Sequence, residues 1–267
     1  MKTGVVVTVG QLVTILAFVI SGECALDQST RDRFFDSNGV RIRYQMSGEG
    51  SPVILIHGFG ESLETWHRAG VVSALSPHFQ VIAIDIRGHG RSDKPHDVKS
   101  YGLELSGDVV RLMRHLGIPK AHIVGYSMGA LVALDFAVLH QDYALSVVLG
   151  GAGLNPPATL DDFRQQAEAF EQGKVPGRAG DDAKALAALL RGLRVLGEEE
   201  VRRIHVPTAA VIGAHDRFMP NVQRLLRVRP ITQLTVIAEV DHATALGHPK
   251  FSEALLVFLR KHTSVTQ

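Results

Sequence analysis

The chain has a single cysteine, Cys24, and a single tryptophan, Trp66, in 267 residues. One cysteine excludes an intramolecular disulfide, so the fold has to be held by its core, and a chain of this length can bury one. Charge of either sign is not in excess: 28 basic residues face 27 acidic ones, the formal net charge is +1, and no long single-sign run occurs. That balance removes the electrostatic reason to expect nucleic acid or an anionic membrane as partner, and it leaves a small molecule. The thirteen histidines include no pair spaced to sit on one helix face, so neither a catalytic metal nor another cofactor is expected. Internal repeats and low-complexity tracts are also missing. A composition of 45% hydrophobic and 21% charged residues fits one globular domain, alone or with an insertion.

The N-terminus differs from the rest. Lys2 precedes an uncharged apolar stretch at residues 4–20, and the small residues Gly22 and Cys24 then stand where a signal peptidase would need them. Residues 1–24 read as a secretory signal peptide, which leaves 25–267 as an exported domain, periplasmic or secreted. The lone n-region charge and Gln11 within the apolar stretch also fit an uncleaved membrane anchor, the one case in which membrane contact is expected. Lipidation of Cys24 is disfavoured by Glu23 directly before it.

From Arg33 onward, short β-branched runs alternate with longer amphipathic segments, as in a mostly parallel sheet covered by helices. Residues 34–36 and 40–46 flank Ser37-Asn38-Gly39 and predict an antiparallel hairpin. The continuous apolar runs at 52–56 and 81–84 predict fully buried parallel strands, and further strands are expected at 121–125, 146–149, 208–212 and 234–237. Leu105, Val109, Leu112, Met113 and Leu116 fall at helical spacing over 103–116, and Leu255, Leu256 and Leu259 do so over 252–260. Between about 154 and 206 lies one long interruption with two helical segments, 160–172 and 182–196, around a glycine-rich stretch. An insertion of that size between two strands reads as a lid over a pocket, against the plainer reading of a helical embellishment.

Residues 125–129 read Gly-Tyr-Ser-Met-Gly, after the apolar run at 122–124 and before a helix-compatible run at 130–140. Strand, glycine-flanked serine and helix in that order present a nucleophile on a tight turn, which makes Ser127 the candidate. Taken alone, the pentapeptide also fits a phosphate-binding loop or a packing turn.

Further motifs accompany it in order: His57-Gly58-Phe59-Gly60 after one strand, the run from Asp85 to Asp93 after the next, an aspartate after a later strand, and a late histidine. With these the chain resembles an α/β-hydrolase, from about residue 33 to the C-terminal helix. The resemblance implies an eight-stranded, mostly parallel sheet with a helical lid, and a serine-nucleophile, esterase- or lipase-like activity. It implies His242 as general base, because His242 lies in a loop several residues before the helix that opens at Pro249, whereas His248 adjoins that proline. It implies Asp216 as the acid that orients His242. The strand before the insertion is followed by no carboxylate, and Asp241 is a sequence neighbour of His242 whose side chain should point away. Backbone N–H groups of Phe59 and Met128 would then form the oxyanion hole. Arg87, His89 and Asp93 are expected to tie loops together, and Trp66 to lie in the core or a pocket wall.

The expected reaction is hydrolysis of a small, largely apolar carboxylic ester or lactone through an acyl-enzyme. Carbon–carbon bond hydrolysis, acyl transfer and a slow receptor-like member of the same fold are the alternatives. Asp241-His242-Ala243 stands where carbon–carbon hydrolases tend to have Gly-His-Trp, which weighs against the first of these.

Overall fold

The computed structural model describes residues 31–175 and 180–263. The expected signal peptide, its anchor alternative and Cys24 lie outside the described residues. Among the described residues no helix is long and apolar enough to cross a membrane.

Arg33–Ser37 (β1) and Val40–Ser47 (β2) pair antiparallel, as the hairpin reading requires. Asn38 and Gly39 turn the chain with φ of 55° and 80°. Positive φ at both turn positions matches the right-handed twist of the flanking strands, and Asn-Gly tolerates it. Pro52–Ile56 (β3), Gln80–Ile84 (β4), Ala121–Tyr126 (β5), Ala144–Gly150 (β6), Thr208–Gly213 (β7) and Gln233–Ile237 (β8) complete an eight-stranded sheet in the order β1-β2-β4-β3-β5-β6-β7-β8. β2 meets β4 antiparallel, and every pairing from β4 to β8 is parallel. The chain runs outward from β3 to β4 and then returns to place β5 on the other side of β3. Strand order therefore reverses between β3 and β5, and their carboxyl ends, at His57 and Ser127, open onto the crevice where such sheets bind ligands.

Two apolar layers cover the sheet. Along β3, Val53 and Leu55 enter one core with Trp66, Phe251 and Leu255, while Ile54 and Ile56 enter the other with Leu105, Val109 and Phe136. That alternation is the period of two expected of a strand buried on both faces. Glu64–Arg68 (α1), Val71–Leu75 (α2), Leu103–His115 (α3), Met128–Leu139 (α4), Thr159–Glu171 (α5), Ala183–Gly192 (α6), Glu198–Arg202 (α7), Met219–Val228 (α8) and Pro249–His262 (α9) supply the helices. Trp66 is a core residue with no exposed surface.

α5, α6 and α7 all belong to the insertion between β6 and β7. α6 stops at Gly192 and not at residue 196, because Leu193 leaves the helix with ψ of 139°. The turn needs the glycine: a Cβ on Gly192 would fall 2.7 Å from the Cβ of Tyr101. Beyond it, Arg194 bridges Asp135 of α4 at 2.8 Å and Glu200 at 2.9 Å, which ties the insertion to the helix that follows Ser127. Burial pushes the Asp135 carboxyl up to about 6 even with Arg194 beside it.

Buried histidines make stability depend on pH. His122 has no exposed surface, its Nδ1 is 2.7 Å from Ser146 Oγ, and burial together with nearby His262 pushes it down to about 4. In the unfolded chain it takes a proton near its ordinary pKa of about 6.5. Between those values the unfolded state binds more protons, so the contribution is intact above pH 6.5 and is lost as pH falls toward 4. His57 and His89 are lowered by burial in the same direction, whereas the raised Asp135 works the opposite way. His140 and His262 are lowered as well, so the lowered histidines outnumber the one raised carboxylate, and the melting temperature is expected to fall steadily from pH 7 to pH 5, with a shallower slope in His122→Asn. A melting temperature flat over that range would contradict this.

Candidate active site

Ser127 sits at the end of β5 with φ of 55°, in the left-handed region that serine rarely occupies. Such a conformation costs on the order of 1–3 kcal/mol and persists only where its surroundings enforce it. Here the Ser127 amide N–H donates to the Gly150 carbonyl at 2.8 Å, and the serine carbonyl accepts the first bonds of α4 from Ala130 and Leu131. The flanking glycines are required by space. A Cβ on Gly125 would lie 2.0 Å from the Gly129 carbonyl oxygen, and one on Gly129 would lie 2.1 Å from that of Ile56.

The three side chains singled out in the sequence converge at this turn from different parts of the chain. His242 Nε2 lies 2.9 Å from Ser127 Oγ, and its Nδ1 lies 2.9 Å from Asp216 Oδ2. Asp216 follows β7 and is buried, and its other oxygen accepts the Phe218 N–H at 2.9 Å, so both carboxylate oxygens are committed. A carboxylate on Nδ1 selects the tautomer that leaves Nε2 free to accept the serine proton. The imidazole is held further by Tyr126, stacked at 5.4 Å, and by Phe218, edge-on at 4.9 Å. The Tyr126 hydroxyl also donates to the His242 carbonyl at 2.6 Å. Asp241 takes no part: its carboxylate accepts from the amides of Ala243 and Thr244 and from the Thr244 hydroxyl, closing its own turn. His248 caps α9 by accepting the Lys250 N–H.

Opposite the serine runs the loop after β3. A Cβ on Gly58 would approach the Ser127 Cβ to 3.3 Å, so only glycine lets the loop pass this close without a shift. Phe59 follows it, and Met128 opens α4, where first-turn amides have no partner within the helix. Among the described residues neither of these two N–H groups meets a backbone carbonyl.

Two buried histidines hold that loop in place. His57 Nδ1 is 2.8 Å from the Gly58 carbonyl and Nε2 accepts the Ile86 N–H at 3.2 Å, while His89 Nε2 accepts the Gly60 N–H at 3.0 Å. Accepting an amide proton requires a neutral ring. Burial lowers the pKa of both histidines and keeps them so. Arg87 pairs with buried Asp108 at 2.6 Å, and the Asp93 carboxylate accepts the Arg41 N–H, so these residues tie the frame together as expected.

A cavity of about 500 Å³ opens above Ser127 and His242. Thr159, Phe163 and Gln166 of α5, Leu190 of α6 and the adjoining Leu193 line it, so the insertion forms one wall. Phe170 of α5 meets Phe59 edge-on at 5.5 Å and joins that wall to the loop. Among the described residues no group of three or more His, Cys, Asp or Glu is placed to hold a metal ion. The supports that sequence reasoning missed are Tyr126 and Phe218, and the cavity-lining residues it passed over include Asn155 and Arg217. Tyr126 sits inside the elbow motif and Phe218 and Arg217 directly follow Asp216, but their roles depend on contacts that only the folded chain creates.

The fold agrees with what known proteins show. Residues 51–199 match the family model described as the alpha/beta hydrolase fold. The chain belongs to the α/β-hydrolase family. A hydrolase of Metapseudomonas resinovorans named for 2-hydroxy-6-oxo-6-(2'-aminophenyl)hexa-2,4-dienoic acid is 30% identical over 274 residues, spanning 88% of this chain and 93% of the relative. A pimeloyl-[acyl-carrier protein] methyl ester esterase of Vibrio vulnificus is 26% identical over 260 residues, with 82% and 98% covered. Among solved structures, the enol-lactonase of Burkholderia xenovorans LB400 superposes with a TM-score of 0.74 at 24% identity, covering 85% of this α/β-hydrolase and 100% of that chain.

Proposed function

We propose that this α/β-hydrolase cleaves a small carboxylic ester or lactone with a largely apolar body, through an acyl-enzyme formed on Ser127. The observation that carries the reading is the relay Ser127–His242–Asp216, with both links at 2.9 Å, at the floor of a 500 Å³ cavity. His242 takes the serine proton as Oγ attacks the carbonyl carbon, and Asp216 steadies the imidazolium that forms. Negative charge on the former carbonyl oxygen is met by the amides of Phe59 and Met128, the more strongly because they are fixed before the reaction starts. His242 then protonates the leaving group. Water, deprotonated by the same histidine, releases the acid and restores the serine.

Carbon–carbon bond hydrolysis is the second reading, and one observation favours it. The relative from Metapseudomonas resinovorans is named for a ketodienoic acid with no ester link, and it matches along most of the chain. The ester reading is supported by the Vibrio esterase and by the lactonase fold match. A panel of nitrophenyl esters of graded chain length, run on wild type and Ser127→Ala, tests the proposal. Turnover should depend on Ser127 and be highest for short acyl chains, and equal rates in both proteins would reject it.

A further inference from the structure

The cavity wall contains one acidic and one strongly basic side chain, Glu61 and Arg217. Glu61 is committed: its carboxylate accepts the Thr65 hydroxyl at 2.6 Å and pairs with Arg68 at 3.0 Å. Arg217 is different. Among the described residues it enters no ion pair, and its guanidinium lies over the Phe218 ring, 4.9 Å from the centroid. Phe218 in turn packs edge-on against His242, so the cation stands at the rim of the cavity one ring away from the general base. The cavity therefore holds one uncompensated positive charge, and it adjoins the reacting groups.

A second polar group stands close by. Asn155 lines the same cavity and is only 8% exposed. Its Oδ1 is occupied by the Nδ2–H of Asn221, at 2.7 Å, which leaves its own amide N–H groups as what it presents to the cavity. Asn221 belongs to the first turn of α8 and Arg217 lies two residues before that helix, so Asn155 is bonded to the element that Arg217 leads into, and both donors line the same cavity. The rest of the wall is largely aromatic and aliphatic, with Phe163, Leu190 and Leu246 among its members.

We propose that Arg217, assisted by Asn155, recognises a free carboxylate on the substrate, so that the preferred ester or ketone has an apolar body and one anionic end. The inference rests on the hydrolase reading of this cavity and adds the substrate's charge to it. A guanidinium offers two parallel N–H donors to a carboxylate, and its stacking on Phe218 orients the fork in advance. A single-sign charge at the mouth of an apolar cleft also raises the local concentration of an anionic substrate.

Monomethyl and dimethyl glutarate share one carbon skeleton and differ in a single free carboxylate, so the ratio of their kcat/KM values isolates the proposed contact. Wild type should favour the monoester, and Arg217→Gln should lower the ratio about ten- to a hundredfold, as expected for loss of a charge-assisted pair, with Arg217→Lys in between. Arg217 is exposed, and a melting curve checks that each variant folds. In parallel, binding of monomethyl glutarate to Ser127→Ala is compared with binding to Ser127→Ala combined with Arg217→Gln. A ratio that stays within twofold, or a wild type that favours the diester, would overturn the proposal. If neither ester shows Ser127-dependent turnover, the ester reading fails, and the binding comparison still decides the carboxylate site: weaker binding without Arg217 supports it and equal binding overturns it.

Discussion

Replacing Ser127 by alanine is expected to lower kcat on a short nitrophenyl ester by a factor on the order of 10⁴ to 10⁶, with KM changed only a few-fold. The asymmetry follows from where the hydroxyl acts. In the proposed mechanism Ser127 Oγ, 2.9 Å from His242 Nε2, attacks the carbonyl carbon, while the rest of the cavity wall, which includes Phe59 and Leu193, would bind the acyl group. Removing Oγ therefore removes the covalent route and leaves ground-state binding nearly intact. Residual turnover should still exceed the uncatalysed rate, because the amides of Phe59 and Met128 remain fixed around the carbonyl oxygen. Steady-state kinetics on enzyme freed of wild-type contamination reads the effect directly. A loss smaller than tenfold would mean that the attack comes from somewhere else.

Gly129→Ala is expected to damage both stability and activity, although the same change in an ordinary helix stabilises by up to about 1 kcal/mol. The sign reverses because the new methyl would lie 2.1 Å from the Ile56 carbonyl oxygen and 2.6 Å from that of His57. Both obstacles are backbone, so neither can swing aside, and the first turn of α4 must move away from β3. Overpacking of this kind costs typically about 1–3 kcal/mol or more. In a domain of this size that lowers the melting temperature by roughly 5–10 °C. The displaced turn carries Met128, whereas Phe59 stays with β3, so the two proposed oxyanion donors would separate and kcat should fall at least about a hundredfold. Gly247→Ala is the matched control, since nothing lies within 4 Å of a Cβ placed there. If Gly129→Ala melts and turns over like that control, the close approach of α4 to β3 is not what shapes the elbow.

Much of the framework is legible in the sequence because buried parallel strands leave continuous apolar runs. Pro52–Ile56 matches its expected strand at both ends, and the others differ by one or two residues. Ser127 is legible from its own strand, turn and helix pattern, whereas Asp216 and His242 are legible through the resemblance to α/β-hydrolases, which places one after a strand and the other before a helix. What the sequence does not disclose depends on distant segments meeting. Arg217 reads as one more surface cation until the folded chain shows that Glu61 is taken by Arg68 and that Arg217 has no such partner among the described residues. Asn155, in sequence merely a residue that is not a carboxylate, gains meaning from Asn221, which lies 66 positions away in the chain. The short helices α1 and α2 escape sequence reading as well, since five residues each carry too little periodicity to register. The glycine at the end of α6 is required by Tyr101, which no local pattern mentions.

The central claim is that Ser127 is the nucleophile, activated by His242 and Asp216. A fluorophosphonate probe forms a stable covalent adduct only with an activated serine, and peptide mapping by mass spectrometry locates it. The account predicts a single adduct on Ser127 that fails to form in Ser127→Ala and forms much more slowly in His242→Ala. An adduct on another residue, or none on folded wild-type protein, would contradict it.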